Sequence, residues 1–148
     1  MKKGRTYRTM TQDNILILSN ELSIASFYEL LVEEEGRQIT ICTHATKAIS
    51  LCRKQVYDLI IIDFDMPAIF GYHFIQRLRE FNYSSPLVVV SDYSEYYTNT
   101  FIDANPIRHI FTKPLDNRRH FTSIVDLILS TKAAPLRGYC QVEDVLQV

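Results

Sequence analysis

Three uninterrupted apolar runs mark the chain: Ile15 to Leu18, Leu59 to Ile62 and Leu87 to Val90, each rich in Ile, Leu or Val and followed at once by polar residues. A strand covered on both faces has no polar side and reads as a continuous run, whereas a strand with one wet face alternates. These runs predict the central strands of a parallel sheet. Gln38 to Cys42 and Ile107 to Thr112 have a mixed pattern that suits the sheet edges. Helical spacing fills the gaps. Ile24, Tyr28 and Leu31 form one stripe, with Gly36 expected to close that helix; Ala48, Leu51 and Cys52 form a second, and Phe74, Leu78 and Phe81 a third. Tyr96 to Ala104 gives a weaker fourth helix, because Thr98, Asn99 and Thr100 are poor helix formers. Phe121, Ile124, Val125 and Ile128 give the clearest stripe. The order is β-α five times over, which predicts an α/β fold with helices on both faces of a parallel sheet.

Composition narrows the class without altering that picture. The chain has 148 residues, about one domain's worth, a formal net charge of −1, 47% apolar and 22% charged residues. A near-zero charge leaves no overall basic field, so no nucleic-acid partner is expected. No apolar stretch approaches the ~20 residues that span a bilayer, and the run after the basic start is too short for a secretory signal. Cys42, Cys52 and Cys140 are widely spaced and make no ligand pattern with His44, His73, His109 or His120. They are expected to be reduced thiols in a cytoplasm, the first two filling the core. Residues 1–12 and 131–148 are read as an N-terminal extension and a C-terminal tail around one domain at 13–130. The tail is too short for an output domain, so the chain is expected to act by binding another molecule rather than by enzymatic turnover.

Ligands of an open parallel α/β sheet bind beyond the carboxyl ends of its strands, where strand order reverses. The first run delivers Ser19-Asn20-Glu21 to that edge, the second Asp63-Phe64-Asp65-Met66-Pro67, the third Ser91-Asp92, and the last strand Lys113-Pro114. Singly these are ordinary turn, cap and loop residues. Jointly they bring a carboxylate, a hydroxyl and an ammonium to one rim. A strand-end carboxylate can accept a phosphoryl group as a nucleophile, and the product needs a cation and a hydroxyl to hold its oxygens.

The stretch Asp58 to Pro67, then Gly71, then Pro86 to Ser91, and finally Phe111-Thr112-Lys113-Pro114 resembles the receiver domains of two-component response regulators, over about residues 13–130. The resemblance implies a flavodoxin-like (CheY-like) doubly wound fold, a five-stranded parallel sheet of order 2-1-3-4-5. It implies Asp63 as the phospho-acceptor, Ser91 as the hydroxyl that reports on the phosphoryl group, and Lys113 as the lysine that contacts it. It also implies a protein partner, either a histidine kinase or a downstream signalling protein, and a partner or dimer face made by the fourth helix, fifth strand and fifth helix. Tyr96, Tyr97, Phe101, Arg108 and Arg118 would be candidate positions on that face.

Three departures qualify the resemblance. Receivers end their first strand with an acidic pair that holds Mg²⁺, and here the pair is Ser19-Asn20. Mg²⁺ wants hard oxygen ligands, with carboxylates supplying most of the attraction. Asp63, Asn20 and Asp65 are what remain, so the metal site is expected to be weak or absent. Asp92 stands where receivers place a small residue; the favoured expectation is that it crowds an incoming phosphoryl group, the alternative that it restores one missing negative charge from the opposite side. Ile110 stands where the family places a switching aromatic ring, and Phe111 is expected to point to the other sheet face. Two readings follow. In the favoured one, an atypical receiver serves as a protein-interaction module without phosphate or metal, with Lys113 and Asp63 in a direct ion pair. In the alternative, a working receiver takes phosphate onto Asp63 from a histidine kinase.

Overall fold

The computed structural model describes residues 12–63, 68–81, 83–92 and 107–131. Five parallel strands, β1 (Asp13–Ser19), β2 (Arg37–Cys42), β3 (Leu59–Asp63), β4 (Leu87–Ser91) and β5 (Ile107–Thr112), form one sheet in the order β2-β1-β3-β4-β5. Four helices accompany them among the described residues: α1 (Leu22–Val32), α2 (Ala45–Lys54), α3 (Ala68–Glu80) and α4 (Arg118–Thr131). The predicted helix at Tyr96 to Ala104 and the two chain ends lie outside the described residues.

The sheet divides the core into two layers, and this division explains the continuous apolar runs. Leu16, Leu18, Ile60, Ile62, Leu87 and Val89 face one side, where Ala48, Ile49 and Cys52 of α2 and Phe74, Ile75 and Leu78 of α3 cover them. Ile15, Ile17, Leu59, Ile61, Val88 and Val90 face the other, under Ala25, Tyr28 and Val32 of α1 and Phe121, Val125, Ile128 and Leu129 of α4. Every residue of β3 and β4 is buried. The edges are β2 and β5, as their mixed patterns predicted, and their strands are only partly covered.

Two local features depart from the simple reading. α1 ends at Val32, with Glu33 already extended, so Gly36 does not cap the helix. It sits in the turn to β2 at φ 87°, a conformation that disfavours side chains with a Cβ. In β5 the pairing with β4 skips Arg108: Leu87 faces Ile107 and Val88 faces His109. This one-residue shift, of the kind a β-bulge makes, puts Ile107 on the same layer as Ile110, while Phe111 joins the opposite layer. Strict alternation would have separated Ile107 from Ile110.

Asn117 holds the start of α4, its Oδ1 accepting the His120 N–H at 2.9 Å. Arg37 ties three elements together, donating to the Val32 carbonyl at 2.8 Å and to Asp126 at 2.9 Å. Cys42 and Cys52 are buried free thiols, and burial pushes the Cys52 thiol up to about 11. It is therefore a poor nucleophile in the folded protein.

His109 stands edge-on to His120 at 5.6 Å and against Phe111 at 4.3 Å. Burial first, and the neighbouring His120 second, lower its pKa from 6.5. A base held neutral in the folded state lets the unfolded chain bind more protons as pH falls. His109 thus contributes full stability above about pH 6.5 and loses it as pH drops through its lower folded value. Urea unfolding should show stability declining below pH 6.5, and His109→Gln should flatten that decline. An unchanged slope would remove His109 as its cause.

Candidate functional site

The site lies at the carboxyl ends of the central strands, beside the switch in strand order at β1. Asp63 is the last residue of β3, paired with Ser19 at the end of β1 on one side and with Val90 of β4 on the other. It is 5% exposed although charged, and the order of apolar residues before it fixes its place. Ile60 and Ile62 point to one layer and Leu59 and Ile61 to the other, so the strand ends with its carboxylate at the rim. Ser91 follows Val90 and is fully buried. Lys113 follows β5, its backbone N–H donating to the Ser91 carbonyl at 3.0 Å. That bond registers the lysine against the end of β4, and the Lys113–Pro114 peptide is cis.

Around Asp63 the structure completes an arrangement only half visible in the sequence. Lys113 Nζ lies 2.9 Å from Oδ1 and 2.9 Å from Oδ2, straddling the carboxylate. The phenol of Tyr28, in α1, donates to Oδ2 at 2.9 Å. The Tyr28 ring is itself buried, edge-on to Phe27 at 5.5 Å and tilted against Phe121 at 5.8 Å. A buried phenol needs an acceptor and a buried carboxylate needs donors, so the two satisfy each other. Charge-assisted bonds of this kind are short and strong.

Asp63 and Lys113 are thus brought into contact, and Ser91 to the end of the neighbouring strand. Asn20 is exposed and Asp92 is exposed; Asp65 lies outside the described residues. Tyr28 was read only as part of an apolar stripe. The signal that could have found its role is a phenol placed nine residues after Ser19 on the face that packs beneath the rim.

A model of the response regulator receiver domain matches residues 15–125. The chain belongs to the response regulator receiver domain family. The receiver is 24% identical over 111 residues to a 14.6 kDa protein of Leptolyngbya boryana, covering 74% of this chain and 85% of that one. It is 26% identical to the transcriptional regulatory protein YkoG of Bacillus subtilis, covering 92% of this chain and 57% of YkoG. Its fold matches the receiver domain of Francisella response regulator 1452 with a TM-score of 0.68 at 24% identity, covering 82% and 99% of the two chains. It likewise matches response regulator TrrA of Thermotoga maritima, solved in complex with Mg²⁺ and BeF, with a TM-score of 0.66 at 22% identity and 80% and 100% coverage. No helix among the described residues is long and apolar enough to cross a membrane.

Among the described residues at this rim, Asp63 is a buried carboxylate, and Ser19 and Asn20 stand where the family's acidic pair would be. Ser19 stands where a carboxylate would serve, and its Oγ accepts the Glu21 N–H at 3.2 Å, capping the turn into α1. Asn20 offers only a neutral carbonyl. Each carboxylate oxygen has two lone-pair directions; Tyr28 and Lys113 both engage Oδ2. No group of three or more acidic, His or Cys side chains able to hold a metal occurs among the described residues.

Proposed function

We propose that this receiver acts in two-component signalling as a protein-interaction module whose acceptor rim is held shut by an internal ion pair, without phosphate or metal. The observation that carries the reading is the engagement of both Asp63 oxygens by Lys113, with Tyr28 also on Oδ2. A phosphoryl donor would have to displace an ammonium and a phenol from a carboxylate that is 5% exposed, and no acidic pair stands by to recruit a divalent ion. Phosphoryl transfer depends on positioning and charge neutralisation, and here the neutralising charge is already committed. The ligand class is a protein: a histidine kinase or a downstream signalling protein, met on a surface of fixed conformation. β5 and α4, with Arg108 and Arg118, together with the expected helix at Tyr96 to Ala104, are the face proposed for a partner or a second copy.

The competing reading is a phospho-acceptor receiver modified on Asp63 by a histidine kinase. It is favoured by the placement of Asp63, Ser91 and Lys113 at the ends of three adjacent strands, β3, β4 and β5. Incubation of the full chain with acetyl phosphate and Mg²⁺, followed by intact-mass measurement, separates the two. The expected result is an unchanged mass. Addition of one phosphoryl group that Asp63→Asn abolishes would establish the competing reading instead.

A further inference from the structure

We infer that Tyr28 is a positioning residue that stands in for the divalent ion at Asp63, and that its hydroxyl bars a metal-bound phosphoryl mimic from the rim. The inference rests on the closed-rim reading but makes a separate claim, namely which side chain closes it. Loss of an acidic pair alone would still leave Lys113 against both carboxylate oxygens. Here a neutral donor from α1 lies 2.9 Å from Oδ2. Its ring is locked between Phe27 and Phe121 and is 2% exposed, so the phenol cannot swing out without disturbing the layer beneath α1.

The chemistry of the exchange is direct. A divalent ion at Oδ2 needs a lone pair of that oxygen, and Lys113 already shares it. One of the two donors must leave. Lys113 is the anion's own counter-charge and also the cation a phosphoryl group would need, so the phenol is the donor whose removal frees the oxygen without removing charge. Ser19 agrees with this arrangement. Ser19 is buried and its hydroxyl accepts the Glu21 N–H, whereas a carboxylate at its position would add a second buried anion beside Asp63. The neutral residue at the end of β1 and the neutral phenol on α1 thus both leave Asp63 with Lys113 as its counter-charge.

The test compares the full chain carrying Ser19→Asp and Asn20→Asp with the same protein also carrying Tyr28→Phe. Each is titrated with Mg²⁺ and beryllofluoride, with bound fluoride read by fluorine NMR and Mg²⁺ alone read by calorimetry. Removal of one charge-assisted hydrogen bond should tighten beryllofluoride binding by about tenfold or more. Tyr28→Leu, which also lacks the hydroxyl, should change affinity in the same direction. Thermal melts of all variants identify any effect that is only structural, since a packing role would shift the melting temperature and leave the affinity unchanged. Equal or weaker binding by the phenol-free proteins, including no binding by either, overturns the inference. Phosphoryl uptake by the unmodified chain would overturn the closed-rim reading instead, so the two failures are distinct.

Discussion

Lys113→Met is expected to destabilise the protein by about 3 kcal/mol, near the lower end of what breaking a buried pair costs. The Asp63 side chain is 4% exposed while that of Lys113 is 21% exposed. Removing the lysine therefore strands an anion that water reaches poorly, with Tyr28 left as a donor. A methionine keeps most of the apolar stem, so the loss reports charge rather than packing. In a domain of this size the change corresponds to a melting temperature lower by on the order of 10 °C. Adding Asp63→Asn to the same protein should recover part of the loss, because a neutral amide can be buried against Tyr28 at far less cost than a bare carboxylate. Urea unfolding of the two single variants and the double variant measures this. A loss below about 1 kcal/mol for Lys113→Met would mean that the pair behaves like an exposed salt bridge.

Phe121→Ala is expected to cost about 3–5 kcal/mol, the range for truncating a fully buried ring. Phe121 is 0% exposed and touches Tyr28 at 5.8 Å on one side and Phe111 at 5.1 Å on the other. Its loss would open a cavity where α1, α4 and β5 meet. Phe121→Leu should cost less, because the space left is smaller. Val56→Ala, at a position 73% exposed, should stay within about 0.5 kcal/mol and serves as the control. Equal losses at Phe121 and Val56 in chemical denaturation would contradict the described core.

The strands were legible because burial on both faces leaves no choice of residue type, as Leu59 to Ile62 and Leu87 to Val90 show. The rim residues were legible for a related reason: in a parallel sheet the first polar residue after such a run stands at the ligand-binding edge. Asp63 was placed by that logic and Lys113 by its position just after the last strand, and the structure brings the two into contact. Tyr28 was not legible, because a helical stripe records only that a ring is buried and says nothing of where its hydroxyl ends. Its partner lies 35 residues away on another element, a distance that periodicity cannot bridge. The skipped Arg108 in β5 was hidden for a similar cause. A mixed edge pattern tolerates a shift by one residue, and only the pairing with β4 fixes it. Gly36 was recognised as punctuation but assigned to the helix rather than to the turn after it, since a glycine near a helix end fits both.

The two-sided sheet has a consequence for how this molecule tolerates change. Tyr28, Phe121 and Phe111 all belong to the layer under α1 and α4, whereas Ile110 lies in the layer with α2 and α3. The upper storey therefore answers to two masters, shape and charge, because any ring it exchanges also resets the phenol over the anion. The lower storey carries no link to that anion, so an apolar member such as Leu78 is free to drift among side chains of similar volume while the lip of the sheet stays as it is.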